Sequence, residues 1–144
     1  MEIVKILANC VLFAVAWVLS YLDIPGEPIA ILAIFMLLDM MSGIGRAYAL
    51  GEPITSSKIS AGLASKGLFL AIPISVALAA KAVGADFYWF VAVVIHAMIL
   101  SELYSFISNV HAIKTGEKLP EFDVIKLIGS RIKTMIEALL SQTK

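Results

Sequence analysis

The chain has 144 residues, of which 60% are hydrophobic and 15% charged, and its 11 basic and 11 acidic residues sum to a formal net charge of zero. A soluble domain is roughly 45–50% apolar and about 25% charged, so this composition excludes an ordinary soluble protein. Zero net charge also argues against a nucleic-acid partner, because binding to phosphates requires a basic surface. The excess of apolar side chains must face lipid.

The first half of the chain contains two predicted membrane spans. A helix needs about 20 mostly apolar residues to cross a hydrocarbon core of about 30 Å. The first span covers about residues 3–22 and ends at a segment with two prolines and a glycine, which stop a helix. The second covers about residues 29–50 and acquires polar residues in its second half. A polar linker follows it.

Two further spans complete the predicted membrane region. The third covers about residues 59–83 but is interrupted by Lys66 and contains Pro73, which we expect to kink it. An alternative is that only its second part crosses and the first part lies along the interface. The fourth covers about residues 87–110 and opens with a cluster of aromatic residues, as expected of an interfacial belt.

The remaining residues, 111–144, form a predicted loop and an amphipathic helix that begins at Asp123. Apolar residues recur at helical spacing from there to Leu140. Lys126, Arg131 and Lys133 lie on or near its polar side. The helix could lie on the inner leaflet, which we favour, or pair with its copies in an oligomer.

The sequence therefore predicts an all-α integral membrane protein, with a transmembrane domain over residues 1–110 and a cytoplasmic part over residues 111–144. With four crossings, ten of the 11 basic residues fall toward the side of the termini and only Lys81 toward the other. The positive-inside rule assigns that basic side to the cytoplasm. Asp23, Glu27 and Asp86 then lie in the outer loops. If the third span only re-enters, the termini lie on opposite sides.

Ionisable residues inside a membrane are costly and usually face protein or water, so each is a candidate functional residue. Counted from the outer helix ends at about 1.5 Å per residue, Arg46, Lys66 and Glu102 lie about 22 to 26 Å deep. On the same count, Asp39 and His96 lie about 14 to 15 Å deep. We expect Glu102 to lie opposite Lys66 or Arg46, and Asp39 to lie beside His96 or within reach of Arg46.

These polar residues allow two interpretations. They form static pairs within one subunit, or they exchange partners between subunits and line water after assembly. Small and polar residues also recur at spacings that let helices approach closely, and the relevant positions are Gly43, Ser101, Ser105 and Asn109. These recurring residues serve the packing of one bundle or the formation of a homo-oligomer. We slightly favour the homo-oligomer. As a lone histidine, His96 is a hydrogen-bonded packing residue, which we favour, or a proton relay.

Catalysis is not expected. The sequence has no glycine-rich phosphate loop, no spacing of metal ligands, no nucleophile motif, only two histidines and one cysteine. We therefore predict no catalytic residue, no cofactor and no metal.

An ordered set of short motifs resembles the phage-lysis and toxin-secretion holin family. The motifs are Leu38-Asp39-Met40-Met41-Ser42-Gly43-Ile44, Ser56-Ser57-Lys58-Ile59, Lys66-Gly67-Leu68, Glu102-Leu103-Tyr104-Ser105-Phe106-Ile107-Ser108-Asn109 and Leu119-Pro120. Their order and spacing agree with the family over about residues 30 to 125. Ser42 stands where threonine is usual, and the linker before Ser56 is longer than in the family.

The resemblance implies a protein of the bacterial inner membrane that assembles and opens lesions through which an endolysin or a toxin passes. The resemblance also allows an antiholin as a partner. Asp39, Gly43, Lys66, Glu102, Ser105 and Asn109 would then carry assembly or line the lesion. Two other functions compete. One is a small ion channel or transporter subunit with a path through Asp39 and His96, and the other is a non-conducting membrane adaptor that presents the C-terminal helix.

Overall fold

A computed structural model describes residues 2–83, 88–121 and 123–142 of the chain. Within these residues all regular structure is helical, and four of the five helices are long and apolar enough to cross a membrane. The helices are α1 (Glu2–Tyr21), α2 (Gly26–Ala49), α3 (Ser56–Val83), α4 (Tyr88–Thr115) and α5 (Val124–Gln142). The predicted fold class is confirmed. Asp86 and Phe87, predicted for an outer loop and the aromatic belt, lie outside the described residues.

Helix α2 begins at Gly26, three residues before the predicted start at Ile29. Pro25 is its N-cap and Pro28 lies in its first turn. A proline is tolerated there because the first backbone N–H groups of a helix have no intrahelical acceptor. The two prolines therefore lie at the start of α2, and α1 ends before them at Tyr21.

Helix α3 begins at Ser56, where the hydroxyl oxygen of Thr55 accepts a hydrogen bond of 3.3 Å from the backbone N–H of Lys58. It continues without a break to Val83, through Lys66 and through the buried Pro73. The alternative division into an interfacial helix and a shorter crossing helix is therefore not seen. This single helix is long enough to span a membrane by itself.

Helix α4 extends to Thr115, five residues beyond the predicted end of the fourth span at Val110. It stops at Gly116, which has a φ of 81° and donates a backbone hydrogen bond of 2.9 Å to the carbonyl of Ala112. Helix α5 begins as predicted, because the carboxylate of Asp123 accepts a hydrogen bond of 2.9 Å from the N–H of Lys126. Both turns allow the chain to fold back along α4.

Helices α2 and α4 form the closest pair of the bundle and run parallel to each other. Near their C-terminal ends, a Cβ atom built on Gly43 would lie only 3.7 Å from the side-chain nitrogen of Asn109. Near their N-terminal ends, Pro28 lines a small cavity together with Val91 and His96. The start of α2 thus lies level with the second turn of α4, so the two helices are staggered.

Helices α1 and α5 are joined to this pair differently. Most large side chains of α1 are exposed, and only its end is fixed, where Leu22 is buried and Lys81 of α3 donates a hydrogen bond to the carbonyl of Tyr21. In a membrane the exposed apolar surface of α1 faces lipid. By contrast, Val124 and Ile128 of α5 are buried on the bundle, in one cluster with residues of α2 and α4.

Candidate functional site

The candidate site is a chain of polar side chains that crosses the interior of the bundle from α4 to the end of α2. Helix α2 contributes Asp39, Ser42 and Arg46, which the helical repeat places on one face. Helix α3 contributes Lys66. Helix α4 contributes Glu102 and Asn109, the only buried polar or charged residues among those described. We call this set, with Glu52, the polar network.

Lys66 is the central cation of the polar network. Its ammonium nitrogen lies 2.8 Å from Oδ2 of Asp39 and forms a second ion pair with Oε2 of Glu102. The side chain of Glu102 is only 6% exposed and that of Asp39 12%. One lysine of α3 is therefore shared by two carboxylates that belong to α2 and α4.

Asn109 connects the acidic part of the network to its second cation. Its amide nitrogen donates hydrogen bonds of 2.9 Å to Oδ1 of Asp39 and 3.1 Å to the hydroxyl oxygen of Ser42. Its amide oxygen accepts a hydrogen bond of 2.9 Å from Nη1 of Arg46. An amide suits this place because it offers donors to a carboxylate and an acceptor to a guanidinium. The small size of Gly43 lets Asn109 approach α2 closely.

Glu52 completes the network at its outer edge. Its Oε2 lies 3.5 Å from Nη2 of Arg46, and its side chain is 42% exposed. Gly51, with a φ of 68°, terminates α2 so that the N–H of Glu52 donates to the carbonyl of Ala47 at 2.8 Å. Neither Glu52 nor Ser42 was among the predicted site residues. A glycine two residues after the end of a helix, with an arginine in the last turn of that helix, is the sequence signal that could have suggested Glu52.

The four charged side chains inside the bundle balance one another. Asp39 and Glu102 carry the negative charges, and Arg46 and Lys66 carry the positive ones. In the described part of the chain, Nε of Arg46 is the one buried side-chain polar atom without a hydrogen-bond partner in the protein. The four charges inside the bundle thus sum to zero within one subunit, and the exposed Glu52 gives the whole polar network one net negative charge.

The predicted pairing of Glu102 with Lys66 is confirmed, whereas the partners predicted for Asp39 are wrong. Asp39 pairs with Lys66 and not with Arg46 or His96. The reason is the stagger of α2 and α4, which places His96 near the α1–α2 loop, in a cavity with Asp23 and Pro28. Asp39 lies about 16 Å further along α2, at 1.5 Å per residue. His96 is exposed, and its Nδ1 lies 2.6 Å from the carbonyl oxygen of Ala92.

Ser101 and Ser105 do not belong to the polar network. They line a cavity of about 410 Å³ together with Glu102, between α4 and the segment that leads to α5. That segment is fixed on α4, because the Tyr104 hydroxyl donates a hydrogen bond of 2.6 Å to the carbonyl of Pro120. The predicted roles of the two serines in assembly or in lining a lesion stay predictions.

The basic residues predicted for a membrane-surface helix lie on exposed positions of α5, namely Lys126, Arg131 and Lys133. Lys133 lies 3.8 Å from Glu137 in an exposed ion pair. Their contact with lipid headgroups stays a prediction. Across the residues that the structure describes, no group of three or more His, Cys, Asp or Glu side chains could hold a metal ion.

The family model described as the bacteriophage holin family matches residues 14–139, which include α2, α3, α4 and the whole polar network. No curated protein and no solved structure matches the chain. The match covers most of the sequence, and it agrees with the four membrane-spanning helices and with the motifs of α2 and α4. The chain therefore belongs to the bacteriophage holin family.

Proposed function

We propose that this protein is a holin that accumulates in the bacterial cytoplasmic membrane, with both termini in the cytoplasm, and assembles into lesions. The cargo of the lesions is an endolysin that degrades the cell wall, or a secreted toxin. Membership of the bacteriophage holin family supports this proposal, as do four helices long enough to span a membrane. The observation that carries it furthest is that the charges inside the bundle sum to zero within one subunit, with Asp39 and Glu102 against Arg46 and Lys66.

The network explains how a single subunit is stable in lipid. A charged side chain at the centre of a membrane helix costs about 2.5–3.5 kcal/mol on insertion scales. Here every charge at that depth has a partner of opposite sign, since Lys66 bridges Asp39 and Glu102. A sparse subunit therefore holds no uncompensated charge that would conduct ions or unfold it.

The same side chains give the subunit a second arrangement of similar energy. Lys66 has 23% of its side chain exposed and Arg46 has 18%, so both lie at the edge of the bundle. In an assembly these groups can bind water or the carboxylates of a neighbouring copy without losing their charge pairing. A lesion then opens by exchange of partners and not by exposure of apolar surface.

The competing channel function loses its main support. It required a path through Asp39 and His96, and the structure holds these two residues at different depths of the bundle. We therefore retain lesion formation as the proposed function.

The test is inducible expression of the full chain in bacteria that also contain a cytoplasmic endolysin, with culture turbidity as the measurement. We expect abrupt lysis after a delay, and no lysis from the endolysin alone. Glu102→Gln keeps the size of the side chain but removes its charge, so lysis should begin earlier. Glu117→Ala, in the exposed loop after α4, is the matched control and should leave the onset unchanged. Continued growth with all variants would contradict the proposal.

A further inference from the structure

A further cavity, of about 300 Å³, lies between the last turns of α2, the linker that follows α2 and the first turns of α3. We call it the linker cavity. Its charged lining residues are Arg46 of α2, Glu52 of the linker and Lys58 of α3. Two basic side chains and one acidic side chain give the lining a net positive charge. Arg46 and Glu52 also belong to the polar network, whereas Lys58 does not.

The lining of the linker cavity becomes apolar toward the middle of the membrane. On α2, Met40 and Ile44 precede Arg46, and on α3, Ile59 follows Lys58. The side chains of Ile44 and Ile59 are exposed, so the cavity opens on the surface of the bundle. A ligand that fits this lining therefore has a negatively charged end and an apolar remainder.

The linker cavity lies at the depth where lipid headgroups meet acyl chains. Helix α2 has 24 residues and α3 has 28, whereas about 20 are enough to cross the hydrocarbon core. The ends of both helices therefore extend into the headgroup layer, and Arg46 lies only about 4–5 Å before the end of α2 at 1.5 Å per residue. Basic pockets at this depth between membrane helices bind acidic headgroups.

The protein itself holds the two basic side chains of the linker cavity weakly. Nη2 of Arg46 lies 3.5 Å from Oε2 of Glu52, which is long for a hydrogen bond. The ammonium of Lys58 donates a hydrogen bond of 3.2 Å to a neutral acceptor, the carbonyl of Pro53, and no carboxylate in the described part of the chain pairs with it. A phosphate that takes the place of Glu52 would give both cations a charge-assisted hydrogen bond.

We propose that the linker cavity binds an acidic phospholipid, with the phosphate between Lys58 and Arg46 and an acyl chain along Met40, Ile44 and Ile59. A soluble phosphate would satisfy the two cations but would leave the apolar lining uncovered. Because α3 packs against α4 and makes little contact with α2, the lipid would join α2 and α3 at this end of the bundle. The inference goes beyond the proposed function, since it requires membrane-spanning helices but no lesion.

The test is native mass spectrometry of the full chain in mild detergent, with equimolar phosphatidylglycerol and phosphatidylcholine of the same acyl chains as probes. We expect the chain to bind phosphatidylglycerol in preference to phosphatidylcholine. Lys58→Gln should lower the affinity for phosphatidylglycerol about fivefold, the usual effect of one basic residue near an acidic headgroup. Lys5→Gln, at the exposed start of α1, removes the same charge far from the cavity and should leave the affinity unchanged.

Two more variants separate the site from general charge attraction. Glu52→Gln removes the carboxylate that competes with the phosphate for Arg46, so the affinity for phosphatidylglycerol should rise, whereas Glu117→Gln in the exposed loop after α4 should not change it. Gly62 lines the cavity, and a Cβ atom built on it meets no other atom within 4 Å. Gly62→Leu should therefore fill the cavity and abolish the preference without any change of charge, even if Lys58→Gln loosens the linker.

Three results would overturn the inference. The first is equal binding of the two lipids, and the second is an undiminished preference for phosphatidylglycerol in both Lys58→Gln and Gly62→Leu. The third is displacement of phosphatidylglycerol by millimolar inorganic phosphate, which would assign the cavity to a soluble anion. A preference for phosphatidylglycerol that depends on Lys58, in a chain that causes no lysis with an endolysin, would refute the proposed function and leave the lipid site intact.

Discussion

Replacement of Lys66 by methionine removes the cation that two carboxylates of the bundle share. Methionine has a similar length and good helix propensity, so the change isolates the charge. Asp39 keeps the hydrogen bond from Asn109, but Glu102, whose side chain is 6% exposed, loses its ion pair. Breaking a buried pair by removal of one partner costs about 3–5 kcal/mol, because an uncompensated charge stays buried. We expect a loss of that size in the free energy of unfolding.

Lys133→Met is the matched control, since Lys133 pairs with Glu137 on α5 with side chains 78% and 63% exposed. An exposed pair of this spacing contributes about 0.3–0.5 kcal/mol, so the two variants should differ roughly tenfold in their effect. The double variant Lys66→Met with Glu102→Gln should recover most of the loss, because no buried charge is then left on α4.

The assay is titration of the purified protein in mild detergent with sodium dodecyl sulfate, followed by circular dichroism and by tryptophan fluorescence. The midpoint and slope give the free energy of unfolding of each variant. If Lys66→Met costs no more than Lys133→Met, Lys66 does not neutralise the bundle and the reasoning about the polar network is refuted.

Two further variants test the packing around the network with the same unfolding assay. Asn109→Leu should lower the free energy of unfolding by about 1–3 kcal/mol, because it leaves Asp39 and Arg46 without their shared partner. Asn9→Leu, on the exposed surface of α1, is the control and should leave this free energy unchanged. Equal effects of the two variants would contradict the bridging role of Asn109. Gly51→Ala should cost about 1 kcal/mol because the φ of 68° at this position disfavours a side chain. Gly62→Ala, in the second turn of α3 with open space around the added carbon, should instead stabilise by about 0.5–1 kcal/mol. A gain with Gly51→Ala would be inconsistent with the turn that places Glu52.

The helices could be predicted from the sequence because lipid imposes a simple rule on length and composition. All four spans lie within a few residues of helices that the structure shows, and Asp123 caps α5 as expected. The errors are at the ends of the helices, where local hydrogen bonds decide at which residue a helix begins or ends. Thr55 and the prolines before α2 start helices earlier than hydropathy suggests, because capping and first-turn positions tolerate polar residues and proline.

Most residues of the polar network could be predicted from the sequence. Which of them pair with each other could be predicted only in part. The depth of each residue, counted from the outer end of its helix, identified Glu102 and Lys66 as partners because the outer ends of their two helices are nearly level. It failed for Asp39 because depth along a helix does not reveal the stagger of its neighbour. The contacts between the two helices fix that stagger, among them the close approach of Asn109 to Gly43. Glu52 was missed because it lies outside every span and reaches Arg46 through the turn at Gly51.

Release of a protein-sized cargo is the most direct test of lesion formation. The full chain is reconstituted into vesicles that contain both a small dye and a fluorescent protein of the size of an endolysin, over a range of protein-to-lipid ratios. We expect both cargoes to be retained at low ratio and to escape together above a threshold ratio. Escape of the dye alone at every ratio, with the fluorescent protein retained, would contradict lesion formation and would indicate a narrow channel.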